Sequence, residues 1–228
     1  MSIAEPMDKE FTFFYTSLGF GPAESSTPVP QATLARFRGK LPDQWLKYWE
    51  LYGWSSYGKG LLWTVNPEEY QSVLDAWLKG TPFCEQDTFY VVARSALGKL
   101  FLWGTHSGQS LKIHTPHGMI FPNDQSNLVK AGRADMMVRL FFMQMTKKAL
   151  DQQDDLNRPL FDRAVKVLGP LEPGQMYGFE PAIVAGGQLR LENLRKVDAI
   201  PHFLVLAELG DRRIMRDIVQ DARNAGLA

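Results

Sequence analysis

Three of the four histidines, His106, His114 and His117, fall within twelve residues, with Asp124 close behind. Imidazole ligates metals and serves as a general base near neutral pH, so this group is the chain's best enzymatic candidate. Its spacing argues against a site. Paired histidine ligands usually stand at i, i+4 on a helix or i, i+2 on a strand, whereas His114 and His117 flank Thr115-Pro116 in an expected turn. The histidines read as hairpin surface. The alternative is a histidine- or metal-dependent enzyme of unknown substrate using the His106 to Asp124 region.

The other chemical candidates are weaker. Tyr57-Gly58-Lys59-Gly60 lacks the Walker spacing, because Gly60 follows the lysine where Ser or Thr is required. Ser95 has no preceding glycine at the position a nucleophile elbow needs. Cys84 has no basic sequence neighbour to favour its thiolate and reads as inert. Asp151, Asp154 and Asp155 lack the oxygen ladder of an EF-hand loop and read as an exposed helix end. Gly186-Gly187 is expected to be a tight turn. No catalytic, cofactor-binding or metal-binding residue is assigned.

Elements that position these residues follow from periodicity. Phe11, Phe14, Tyr15 and Leu18 predict a helix over 7–19, and the proline-rich stretch 21–31 reads as a loop or arm. A short helix near Thr33 to Phe37 follows. Leu41, Trp45, Tyr48, Trp49 and Tyr52 mark a helix face opened by Pro42 and closed by Gly53. Leu61 to Val65 reads as a buried strand. A helix capped by Asn66 and Glu69 then carries Tyr70, Val73, Leu74, Trp77 and Leu78. Two hairpins are expected, Thr88–Ala93 with Lys99–Trp103 and Gln109–His114 with Gly118–Phe121.

Residues 127–150, with Met136, Met137, Phe141, Phe142 and Met145, read as one long helix, a hinge between modules, its methionine stripe serving core or domain interface. Beyond it come a helix from Pro159, strands near Met176–Phe179 and Ala182–Val184, a brief amphipathic stretch at Leu191 and Leu194, and helices at His202–Leu209 and Arg212–Ala222. The fold class is α+β: helices on a mainly antiparallel sheet, then a smaller, mostly helical domain with short strands. The boundary falls between residues 125 and 126.

Composition excludes several roles. The 228 residues carry 25 basic and 25 acidic side chains, without the basic excess of a nucleic-acid binder in either half. One cysteine forms no intrachain disulfide and excludes a cysteine-rich zinc site. No apolar run approaches the roughly 20 residues that span a bilayer. The polar start Met-Ser-Ile-Ala-Glu-Pro lacks the pattern of a signal peptide, so a cytoplasmic protein is expected.

All six tryptophans lie between Leu41 and Gly104. The blocks Leu41-Pro42-Asp43-Gln44-Trp45, Gly60-Leu61-Leu62-Trp63-Thr64-Val65-Asn66-Pro67 and Ala93-Arg94-Ser95-Ala96-Leu97-Gly98-Lys99 make residues 1–125 resemble the bacterial GAD-like (GAD-related) domain. In 126–228, Leu168-Gly169-Pro170-Leu171, Tyr177-Gly178-Phe179-Glu180-Pro181-Ala182, Gly186-Gly187 and Pro201-His202-Phe203 are similar to the C-terminal domain of type VI secretion DNase immunity proteins. The resemblance implies a non-enzymatic protein that binds and neutralises a cognate toxin, a nuclease effector, in the cytoplasm, with no direct nucleic-acid or membrane contact. Candidate anchors for that partner are His106, His114, His117, Tyr177, Phe179 and Glu180.

Overall fold

Phe142 decides how this chain packs. Its ring lies 4.9 Å from Phe11, 5.1 Å from Phe14, 5.3 Å from Trp45 and 5.2 Å from Tyr48, and it is fully buried. Residues far apart in sequence thus build one aromatic core. The computed structural model describes residues 8–224, apart from the side chains of residues 219 and 224. Met7 of the first expected helix and most of the polar N-terminal stretch lie outside them.

In chain order the elements are α1 (Lys9–Thr12), β1 (Glu24–Thr27), α2 (Gln31–Phe37), α3 (Asp43–Tyr52), β2 (Trp54–Tyr57), β3 (Leu62–Thr64), α4 (Gln71–Leu78), α5 (Phe83–Gln86), β4 (Phe89–Ser95), β5 (Lys99–Gly104), β6 (Gly108–His114) and β7 (Met119–Pro122). Then follow α6 (Ser126–Lys130), α7 (Ala134–Met143), α8 (Lys147–Leu150), α9 (Phe161–Leu168), β8 (Gln175–Phe179), β9 (Leu194–Asp198), α10 (Ala199–Leu209), β10 (Arg213–Ile214) and α11 (Ile218–Asn224).

Strands β1 to β7 form an antiparallel meander in sequence order, and β10 adds to the β7 edge in parallel. β8 and β9 pair as a separate antiparallel ribbon. Alternation assigns the two faces of the large sheet. Phe101 packs on Phe141 of α7, whose neighbour Phe142 lies among the rings of α1 and α3. Arg94 and its register partner Trp63 share the other face with Leu100. Here α4 and α10 pack together, and Trp77 donates its indole N–H to the Phe203 carbonyl at 3.0 Å. Helices cover both faces, and the last strand comes from the chain's far end. The α+β class, with a mainly antiparallel sheet and a more helical second part, is as expected.

Several local expectations change. The first helix widens after Thr12 into a π-helical turn, Phe13–Ser17, which still buries Phe11 and Phe14 together. The proline-rich arm contains edge strand β1, held in part by Ser56 donating to the Glu24 carbonyl. Asn66 accepts from the Glu68 amide at 3.2 Å, but the helix begins only at Gln71; the cap makes a turn before α4 instead of starting it. The expected long helix breaks into α6, α7 and α8, because Gly132 takes φ +69° and Thr146 is extended. α7 belongs to the core and is not a hinge. The strand expected at 182–184 is a 3-10 turn, Ile183–Ala185, and the final helix starts at Ile218 behind β10.

Phe142→Ala tests the shared core. Removing this ring should cost about 3–5 kcal/mol, as for other large-to-small core changes. Urea unfolding followed by tryptophan fluorescence, which reports only on 45–103, and by far-ultraviolet circular dichroism should shift together as one transition. Separate transitions for the two probes would contradict a common core.

Candidate partner-binding surface and groove

The histidines are not one cluster. His106 lies in the β5–β6 turn, while His114 ends β6 and His117 closes the following 3-10 turn. Seven residues of strand separate the two ends by roughly 20 Å. His106 is exposed, and its Nδ1 lies 3.0 Å from Asp87. The Asp87 carboxylate also accepts from the His106 and Ser107 amides and the Ser107 hydroxyl. Burial opposes its ionisation, but these hydrogen bonds win and hold its pKa below the usual carboxylate range. Asp87 therefore organises the β5–β6 turn.

Asp124, the fourth member of the enzymatic alternative, is also committed. Its carboxylate accepts from the Ser126 amide and, at 2.8 Å, the Ser126 hydroxyl, at the start of α6. Among the described residues no group of three or more His, Cys, Asp or Glu side chains is arranged to hold a metal ion.

His114 and His117 instead belong to a basic corner. His114 packs on Phe121 with ring centroids 4.5 Å apart, and its Nε2 is buried without a hydrogen-bond partner. Burial, then the charges of Lys99, Lys112 and His117, push its pKa down to about 3. His117 contacts the Gln152 side-chain amide, and its pKa is lowered by burial, Lys99 and Arg213. Lys99, itself buried, donates to the carbonyls of Ala149 and, at 3.0 Å, Asp151. Burial leads the causes that bring its pKa to about 8. The corner fastens the end of α8 to the sheet.

The anchors on β8 divide by exposure. Tyr177 and Phe179 are buried, and Tyr177 donates its hydroxyl to the Gly169 carbonyl at 2.6 Å. Neither offers surface to a partner in the folded chain. Their apolar rings signalled a core strand, which is where the structure puts them. Glu180, just past the strand, is exposed and borders a shallow cleft with His202 and Val205. Sequence reading missed Val205 and Leu209 of α10, which are 51% and 49% exposed. Their break from the buried stripe of Phe203, Leu206 and Ala207 was the available signal.

The acidic turn differs from the exposed helix end expected for it. Asp154 is buried and accepts from the guanidinium of Arg158 at 2.8 Å and of Arg163 at 2.7 Å, besides the Leu156 and Arg158 amides. The Arg158 contact leads in holding its pKa far below the usual range. Gly58, Lys59 and Gly60 all take positive φ, making the β2–β3 hairpin turn and no phosphate loop.

A groove of about 550 Å³ lies between the β5–β7 face and the α6–α8 segment. Register sets Phe101, Lys112 and Phe121 side by side across its floor. Met137, Leu140, Phe141 and Met145 form the opposite wall.

Residues 11–117 match the GAD-like domain family, and residues 135–210 match the family described as T6SS immunity protein Tdi1, C-terminal. The two matched regions follow one another along the chain, a GAD-like region and then a Tdi1-type C-terminal region. Among solved structures it is similar to Atu4351 from Agrobacterium tumefaciens, with 25% identity and a TM-score of 0.77 over 86% of this chain and 88% of that one. No curated protein matches the sequence. The Tdi1-type match supports a type VI secretion immunity protein. It begins within α7, whose Phe142 fills the core of the GAD-like domain. Among the described residues, no helix is long and apolar enough to cross a membrane.

Acidification should weaken this fold through His114. Its folded pKa lies below the ordinary 6.5, so the unfolded chain takes up the proton first and stability falls as pH drops from about 6.5 towards 3. Urea midpoints at pH 7 and pH 5 should differ less for His114→Leu than for the natural chain. An unchanged difference would mean that His117 and His202, both with lowered pKa values, carry the effect.

Proposed function

We propose that this protein protects its producing cell by binding a cognate secreted toxin, a type VI DNase effector, in the cytoplasm. The Tdi1-type match over residues 135–210 carries the reading. Inhibition acts by association and not by turnover. The histidines and carboxylates that suggested chemistry are separated or committed to turns. We keep the division near residues 125 and 126 as the boundary of the two domains, although they share a core.

A standard interface buries on the order of 1,600 Å² in total, with a few anchors carrying most of its energy. Of the anchors suggested by sequence, His106 and Glu180 have exposed side chains. Glu180 has the stronger surroundings, because exposed Val205 borders the same cleft from α10, with exposed Leu209 one turn farther along that helix. We place the centre of toxin contact there. A carboxylate beside apolar side chains suits a nuclease surface that is basic where it holds DNA.

Co-purification with the product of the neighbouring reading frame, followed by a DNA-degradation assay, tests both parts. The expected outcome is a tight complex that silences nuclease activity. Val205→Asp and Glu180→Arg should each weaken the complex by at least about tenfold, the cost of losing an anchor, while leaving the urea midpoint unchanged. A toxic neighbour that degrades DNA equally with and without this chain would overturn the reading. Unchanged affinity in both variants would move the contact elsewhere.

A further inference from the structure

We propose that the groove between the β5–β7 face and α6–α8 binds a small amphipathic anion, an apolar body carrying one carboxylate. The argument starts from Lys112. Its ammonium lies 5.4 Å from the centre of the Phe121 ring, and its strand neighbour on the other side is Phe101. The groove is lined by sixteen residues, of which Lys112 alone is charged. No acidic residue among them balances it. The neighbouring Lys99 adds a second positive charge and does not offset the first, and its own ammonium is answered by the carbonyls of Ala149 and Asp151 and by the Asp151 carboxylate. A half-buried cation over an aromatic ring, beside a second cation and with no counter-ion among the groove's lining residues, favours an anion in low-dielectric surroundings.

The rest of the lining specifies what the anion must carry. Phe101 and Phe141 are each 8% exposed, so a broad protein face does not reach the floor, whereas a narrow chain or ring does. Met137 and Met145 provide unbranched, polarisable walls that adjust to an apolar body. The volume lies in the range of small-molecule sites. Gln109 directs its amide N–H to the Leu102 carbonyl at 2.9 Å, leaving its Oε1 buried without a hydrogen-bond partner. That acceptor suits a ligand hydroxyl or amide N–H along the body. The walls come from both sides of residue 125, so an occupant would bridge the two domains. The site is independent of the toxin surface proposed above.

Full-length protein would be titrated by calorimetry with decanoate, decanol and decyltrimethylammonium, each below its micelle-forming concentration, and thermal melts recorded in parallel. Decanoate should bind saturably and raise the melting temperature. It should bind at least about tenfold more tightly than decanol, the size of one charge-assisted hydrogen bond, and the cation should bind least. Lys112→Gln should reduce decanoate to the affinity of decanol while the unliganded protein still melts in one cooperative transition. Leu140→Trp should fill the groove and abolish binding of all three. Absence of saturable decanoate binding, equal affinity for the three probes, or full decanoate affinity in Lys112→Gln would each overturn the proposal. So would toxin binding that depends on Lys112 when decanoate does not bind, which would assign the groove to a protein partner. Toxin neutralisation is scored separately, so its failure leaves this result readable.

Discussion

The insertion of Phe142 into the rings of α1 and α3 is the constraint on which the remaining structure depends. A fully buried aromatic side chain contributes several kcal/mol through apolar burial and ring contacts, and here those contacts join the two sequence-recognisable domains. Phe141 adds a second contact by packing on Phe101 of the sheet, with ring centroids 5.4 Å apart. Once α7 is fixed, α6 and α8 are held near the β5–β7 face. The groove exists because three short helices, not one straight helix, cross it.

A second fastening lies on the opposite face of the sheet. Trp77 of α4 donates to the backbone of α10, and the Tyr177 amide donates to the Ala96 carbonyl in the β4–β5 turn at 2.9 Å. The same region buries Arg94, which is 1% exposed and lies 4.9 Å from the centre of the Trp63 ring. Tyr70 supplies a hydrogen-bonding neighbour, while the Arg94 Nε and Nη1 have none among the described residues. A buried cation resting on an indole is costly to desolvate. Its retention between the sheet and α4 favours one arrangement of these layers, since any alternative must shelter the same charge.

How much of this was legible in the sequence depends on what made each signal. Helix α3 and both expected hairpins were readable because Trp45, Tyr48 and Trp49 recur at helical spacing and because Leu111 and Ile113 alternate with polar residues. β1 was hidden among prolines: it is an edge strand with every residue exposed, so no burial pattern marks it. β10 has two residues and exists only because β7 offers an unpaired edge. The site was less legible than the fold. His106 and His114 are close in sequence but at opposite ends of β6, a separation that follows from strand geometry and is invisible to a count of nearby histidines. Tyr177 and Phe179 show the converse error, where aromatic residues in a distinctive motif mark a core and not a contact.

The division between fold and surface bears on how such a protein recognises its partner. Twenty-five acidic and twenty-five basic residues give no net charge with which to attract a basic nuclease from a distance. Long-range steering scales with that summed charge, whereas short-range complementarity depends on the few groups that meet. Local surroundings therefore matter more than composition. Lys99 and Lys112 sit together on one face, while Asp87 and Asp154 are enclosed by hydrogen bonds and present little free charge. An acid that remains exposed beside apolar side chains, as Glu180 does near Val205, can contribute to a contact more effectively than several acids already paired within the fold.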